Sequence, residues 1–509
     1  MIYDRVKFFR RRQFVLGPEY IDYEGWKKLK VIDNCLLTVH PDLKTTVAEQ
    51  QESKAILLGY FIDPYQPELN DEDILKRFVG TSESLNDICT GLETLTGRFV
   101  LIVKSRANLW MFHDPCALRQ VNYCFDKDGA MWCASQPETL AEQLGFKYDE
   151  EMVSYRNMLA FRSGREEFWI INDRTPYREI KYLLPNHYLD LQNGTVHRYW
   201  PGTGCIGSLS VEESINLCRP ILQNSIEAAS KRFDLKMGIS AGCDSRRSLA
   251  AAKDVNSKIY FFTHTPTAFK EVDMEIPALL LPKLGIKHHK IELGEMDNEF
   301  RKYYESSVAW AREKHGRIAY SALKHFGTEA TVLNSNISEI SQVYYWLPKS
   351  RINGEGLAVA TGLNHPLAIN EFDKWLEGAK PVCEGAKMNI LVLFDLELRS
   401  RWIAAAISEY DIAYETFNPY NNRRLLQLEL SVNERFRKGR RLDFHIKQIR
   451  NMWPEVLMEP INPKKGIQGK IKGFILDSII HKVFTPWLPI IEYLRYLKLK
   501  RKFKQELNG

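Results

Sequence analysis

The stretch K-M-G-I-S-A-G-C-D-S-R-R-S-L-A-A-A, residues 236–252, holds two overlapping pieces of chemistry. Gly238-Ile239-Ser240-Ala241-Gly242 matches G-x-S-x-G, the sharp turn that exposes a serine nucleophile. The overlapping Ser240-Ala241-Gly242-Cys243-Asp244-Ser245 suits a different task, the cradling of phosphate groups. In that reading Gly242 lets the backbone approach closely, and the Ser240 and Ser245 hydroxyls donate to phosphate oxygens. Asp244 then serves as a ligand for the Mg²⁺ that accompanies a nucleotide. A third reading makes Asp244-Ser245 an ordinary helix cap.

The flanking elements favour the phosphate reading. Strand-like D-L-K-M-G-I-S leads into helical D-S-R-R-S-L-A-A-A-K, then strand K-I-Y-F-F-T-H-T, a helix carrying two prolines, and strand H-H-K-I-E-L. Strands alternating with helices at this spacing predict a doubly wound parallel sheet. Ligands bind beyond the carboxyl ends of such strands, where backbone N–H groups and the helix dipole meet an anion. Thr263, in the second strand, is assigned to the same nucleotide site. A nucleophile elbow would need an acid and then a histidine behind it, and it would not begin its domain.

Upstream the pattern changes. Runs such as A-I-L-L-G-Y-F-I-D, G-R-F-V-L-I-V-K and A-M-W-C-A-S read as short strands, and P-N-H-Y-L-D-L-Q-N-G-T-V-H-R-Y-W as a hairpin. A Gly/Pro/Ser-rich stretch after Trp200 marks a boundary, followed by Ser210 with Glu213 three residues on, a capping-box signature. The boundaries read as 1–205, 206–470 and a basic amphipathic tail, 471–509. The tail's basic face suits packing on its own protein first and an anionic membrane surface second.

The chain has 509 residues and a net charge of +6, with no apolar run long enough to span a bilayer. That charge is too mild for a nucleic-acid binder. Nine cysteines without C-x-x-C pairs point to reduced thiols in a cytoplasmic setting, with no structural metal.

These motifs together resemble the asparagine synthetase family. Ser240–Ser245 is similar to its S-G-G-x-D-S loop, with alanine for one glycine, and E-V-D-M-E-I-P-A-L-L-L-P-K-L-G-I-K-H-H is similar to its acidic-start helix and L-G-x-x-H. G-R-F-V-L-I-V-K-S-R-A-N-L-W-M-F-H-D-P-C-A-L-R-Q-V-N-Y-C-F followed by M-W-C-A-S-Q-P-E-T-L resembles its glutaminase-type domain. The resemblance implies an α+β Ntn-hydrolase-like sandwich followed by an α/β PP-loop synthetase domain. It implies ATP and Mg²⁺ as cofactors, small carboxylate and amine substrates, adenylation of the acid with release of pyrophosphate, and amide formation. It also implies a second metal acid, Glu339 in L-N-S-N-I-S-E-I-S-Q-V-Y-Y, and a catalytic lysine in P-I-N-P-K-K-G-I-Q-G-K: Lys464 first, Lys465 second.

Three departures matter. Position 2 is Ile2 and no cysteine precedes Cys35, whereas the glutaminase needs a cysteine beside a free α-amine. The family's N-G-E-I-Y-N turn is replaced around L-L-G-Y-F-I-D-P-Y-Q-P-E-L-N-D, so glutamine hydrolysis is expected to be absent. The glycines of the second phosphate loop have become Ser335 and Ile337, and a bulky residue there is expected to narrow the phosphate pocket or shift binding to Asn334, Ser335 and Asn336 side chains. Relatives lacking the cysteine, such as β-lactam synthetases and lasso-peptide cyclases, use a substrate amine. Arg399, Arg401, Glu409 and Arg423 are candidates for the acid pocket. A non-catalytic scaffold with a synthetase fold remains the alternative, with a serine hydrolase using Ser240 behind it.

Overall fold

The computed structural model describes residues 3–81, 84–163, 171–265, 271–345, 347–363, 365–437 and 443–463, with residues 493, 496–498 and 500–501 near the C-terminus. Lys464, Lys465 and most of the tail lie outside the described residues.

The first two hundred residues build two six-stranded antiparallel sheets. Their strands alternate in the sense a two-faced sheet demands. Phe14 and Leu16, Ile56 and Leu58, and Val100 and Ile102 point between the sheets and share one core. Leu57, Phe61, Phe99 and Leu101 point the other way, beneath helices Asp71–Thr81 and Leu85–Glu93. Val15, Trp132 and Ala134 meet helix Pro137–Leu144 on the opposite outer face. The result is four layers, helix on sheet on sheet on helix. Strand Thr96–Ser105 is buried almost throughout, with the unbroken apolar run Phe99–Val103 at its centre, because both its faces are covered.

The capping box forms as its residues predict: Ser210 accepts from Glu213 N–H, Glu213 accepts from Ser210 N–H, and helix Val211–Arg232 follows. A five-stranded parallel sheet comes next, in the spatial order His288–Glu292, Tyr260–Thr265, Leu235–Gly238, Thr331–Leu333, Glu415–Phe417. The helix Val272–Lys283 accommodates both Pro277 and Pro282. The expected sequence of antiparallel sheets and then a parallel sheet is therefore present.

The two halves share a core in which Tyr60, Ile62 and Tyr155 pack with Ile221, Leu222 and Leu235. Across this boundary Arg98 and Arg119 meet Asp411 and Glu415. Arg98 Nη2 lies 2.7 Å from Asp411, Arg98 Nη1 2.8 Å from Glu415, and Arg119 Nη2 2.7 Å from Glu415. The segment ahead of the first strand is a strap. Arg11 donates to the Ile412 and Ala413 carbonyls at 3.2 Å, and Arg12 to that of Asp411 at 2.6 Å. Of the tail's described residues, Tyr496 is buried beside Arg351, and Lys500 pairs with Glu355 at 2.8 Å. Among the described residues no helix is long and apolar enough to cross a membrane.

Candidate functional site

Strand Leu235–Gly238 is the centre of the parallel sheet, with the second strand in sequence on one side and the fourth on the other. The winding therefore reverses at this strand. The crevice beyond Gly238 and Leu333 is the switch point where ligands of open parallel sheets bind. Residues 239–242 turn from the strand into helix Cys243–Ala251, with Gly242 as its N-cap at φ −72°. That φ is open to any residue, so the demand for glycine is one of space: a Cβ there would sit 3.1 Å from Ser240 Oγ.

The loop's donors are aimed inward. Gly242 N–H donates to Ser240 Oγ at 3.1 Å, Ser240 N–H to Ser245 Oγ at 3.2 Å, and the two hydroxyl oxygens are 3.1 Å apart. Ala241 N–H donates to the Asp273 carboxylate at 3.1 Å. A loop amide that already receives an anionic oxygen has the donor chemistry a phosphate needs. The Ser240 hydroxyl meets Ser245 and Gly242, with no histidine among these partners, so the base that a nucleophile requires is missing from its hydrogen bonds. Thr263 is buried and donates to Ile239 O at 2.7 Å while facing His288 Nε2 at 3.0 Å. It braces the strand beneath the loop.

The opposite bank is the 3₁₀ turn Asn336–Ser341. Ile337 is wholly buried in the main core and so does not narrow the crevice, contrary to the expectation for a bulky residue there. The reason is ordinary apolar burial. Asn334 caps the turn by accepting from Asn336 N–H at 2.8 Å, and Ser335 Oγ lies 2.7 Å from Ser248 Oγ. The Ser338 hydroxyl and the Gln342 amide, the latter at 3.3 Å, both donate to Asp244 Oδ1. Asp244 therefore bridges the banks, and one engaged oxygen leaves the other to offer to a hard cation. Burial raises its carboxyl above the usual range, opposed by Ser338 and Arg247. Glu339 pairs instead with Arg399. Among the described residues no three His, Cys, Asp or Glu side chains cluster as a complete metal cage. The fit is thus to a cation shared between Asp244 and a phosphate.

Lys464 and Lys465 lie outside the described residues; residues 456–462 ahead of them touch the loop and its helix. Asn462 N–H donates to Ala241 O at 3.0 Å, and Arg246 donates to Val456 O at 3.1 Å and Pro460 O at 2.8 Å. Of the four acid-pocket candidates, only Arg399 reaches the crevice. Arg401 donates to the Asn172 and Arg174 carbonyls and stacks on Tyr182 at 4.2 Å. Glu409 binds Arg312 and Tyr304. Arg423 donates to Pro115 O at 3.2 Å and lies over Trp200. These contacts place all three away from the crevice, and Arg401 and Glu409 line a separate cavity with Arg312 and Tyr182. Sequence reading missed Asp273, Ser338 and Gln342; only Asp273 carried a signal, as an acid opening its helix.

At the other candidate centre, the first strand starts at Phe14, well inside the chain. Phe14 N–H donates to Ser135 Oγ at 3.0 Å, and the Gln13 amide donates across the domain boundary to Ser307 O at 2.6 Å. Cys35 opens the strand Cys35–Val39, where burial pushes its thiol up to about 12, so it is no thiolate at neutral pH.

No family model matches the sequence, and no curated protein matches it. Solved structures do overlap with it. One is the allosteric regulatory enzyme of purine biosynthesis, at 11% identity over 60% of this chain and 76% of that one, TM-score 0.25. Another is glutamine phosphoribosylpyrophosphate amidotransferase from B. subtilis complexed with ADP and GMP, at 9% identity over 66% and 74%, TM-score 0.24. A third is glutamine-dependent NAD+ synthetase from Acinetobacter baumannii in complex with ADP, at 18% identity over 33% of this chain and 32% of that one, TM-score 0.20. At these scores the overlaps carry no argument about function.

Proposed function

We propose that this chain is an ATP-dependent amide ligase of the asparagine synthetase type, using ammonia or a substrate amine and hydrolysing no glutamine itself. One observation carries the reading: the loop of residues 240–245 lies at the switch point of the parallel sheet, its Ala241 N–H already on a carboxylate oxygen. In the reaction, a substrate carboxylate oxygen attacks the α-phosphorus of ATP, and the bond to the bridging oxygen breaks to release pyrophosphate. The amine nitrogen then attacks the acyl carbon, AMP leaves, and the nitrogen's proton passes to water. Ser240, Gly242 and Ser245 would hold the phosphates, with Thr263 bracing the loop. Asp244, with Glu339 as a second candidate, would hold Mg²⁺, which when bound would supply positive charge beside the phosphates. Lys464, or Lys465 after it, is assigned to the developing charge on the adenylate.

The absence of glutaminase chemistry rests on the first strand. Its first residue, Phe14, is joined to Gln13 and has no free α-amine, and Cys35 is buried. The expected result is carboxylate-dependent ATP–pyrophosphate exchange that Asp244→Asn lowers by a factor on the order of a hundred or more. Exchange that survives the substitution would remove Asp244 from the metal site.

A non-catalytic scaffold is the second reading. It is favoured by the crevice closing on itself: Ala241 N–H on Asp273, Asp244 on Ser338 and Glu339 on Arg399. A thermal shift with Mg·ATP separates the two, because a ligand that binds only the native state must raise its apparent stability. No shift favours the scaffold.

A further inference from the structure

Arg399 stands at the edge of the crevice, and two acids hold it unequally. It ends a π-helical turn, Asp395–Arg399, a distortion that adds a residue to one helical turn and re-aims the side chain at its end. Asp395, four residues earlier, is 2% exposed and accepts from Arg399 Nη1 at 3.1 and 3.3 Å. Glu339 reaches over from the opposite bank and is 34% exposed. The ring of Tyr344, itself 59% exposed, lies 4.2 Å from the guanidinium carbon. The inner acid and the ring fix the fork's direction. The outer acid is the one that solvent reaches, so it is the partner more readily given up.

We propose that Arg399 exchanges Glu339 for the pyrophosphate portion of the nucleotide, with Glu339 acting as a resident competitor for that guanidinium. This rests on the reading of the crevice as a nucleotide site. A phosphate group presents more negative charge than a carboxylate and accepts the planar fork in the same two-pronged way. The fork is already oriented, so little side-chain freedom is lost when the partner changes. Arg399 also lies within electrostatic reach of Asp244. It therefore offsets part of the repulsion between that acid and an arriving polyphosphate.

The test is calorimetric titration of the full chain with inorganic pyrophosphate, with and without magnesium. Arg399→Gln is expected to weaken magnesium-free binding by about tenfold to a hundredfold, the worth of a hydrogen bond to a charged group. Arg399→Lys, which keeps the charge, should retain part of the affinity and separates loss of charge from loss of folding. Glu339→Gln should tighten magnesium-free binding by a few-fold to about tenfold, and that gain should vanish in the Arg399→Gln background. Binding that stays within about twofold in Arg399→Gln, or a Glu339→Gln gain that persists without Arg399, overturns the exchange while leaving the nucleotide site in place. An unmodified chain that binds no pyrophosphate under either condition removes both.

Discussion

Two groups of arginines and carboxylates use the same chemistry for opposite ends. At the domain boundary Arg98 and Arg119, both buried, face Asp411 and Glu415, and every acid is met from more than one side. In the crevice Arg399 is about as enclosed as those acids, but Glu339 is 34% exposed, and each acid is engaged through one oxygen or one partner. The first group is closed and holds the domains together. The second is open to exchange. Charges buried in pairs are costly to separate, whereas charges near solvent change partners cheaply.

The largest expected effect follows from the closed group. Arg98→Met leaves Asp411 and Glu415 short of a partner inside the protein. It should cost about 3–5 kcal/mol in denaturant unfolding, with Arg119 alone remaining to meet both acids closely. A loss below about 1 kcal/mol would mean that water reaches the boundary.

Two buried acids give opposite pH signatures. Glu415 is held down to about 2 by Arg119 and Arg98 against the cost of burial. Its contribution is present above the unfolded value near 4.3 and is lost as pH falls toward 2. Glu138 has both carboxylate oxygens buried without a hydrogen-bond partner, and burial pushes it up to about 7. Its contribution is present below about 4.3 and is lost as pH rises from there to about 7. Unfolding free energy measured from about pH 2 to 8 should therefore fall below about 4 through Glu415 and fall again between about 4.3 and 7 through Glu138. Glu138→Gln should flatten the second fall by about 1–3 kcal/mol and leave the first. A fall between about pH 4.3 and 7 unchanged by Glu138→Gln would show that the carboxyl finds water.

The smallest effect belongs to the crevice. Glu339→Gln is expected to change stability by less than about 1 kcal/mol, read from the same denaturant curves. A larger loss would move Glu339 into the closed class and weaken the contrast.

Much of the architecture was legible in one dimension because it rests on local periodicity. Ser210 and Glu213 announce a helix start through their own hydrogen bonds, and the apolar runs that hold Ile56–Leu58 and Phe99–Ile102 announce strands, here buried on both faces. The strand-to-helix turn at residues 240–245 was equally legible, since it is written in consecutive residues. Ile337 was misread because its spacing in the loop does not disclose that its side chain turns down into the core. Arg401, Glu409 and Arg423 were indistinguishable from Arg399 in sequence, and only packing separates three charges held elsewhere from one at the crevice.

By itself, then, the sequence determined the order of elements, the loop at residues 240–245 and the lack of a cysteine before Cys35. Tertiary structure alone decided that Asp244 is met by Ser338 and Gln342, that Ala241 N–H rests on Asp273, and that Asn462 N–H reaches Ala241 O. The physical reason is range. Caps, turns and periodicity are interactions among near neighbours in the chain, whereas a crevice is assembled from loops that meet only once parallel strands have paired.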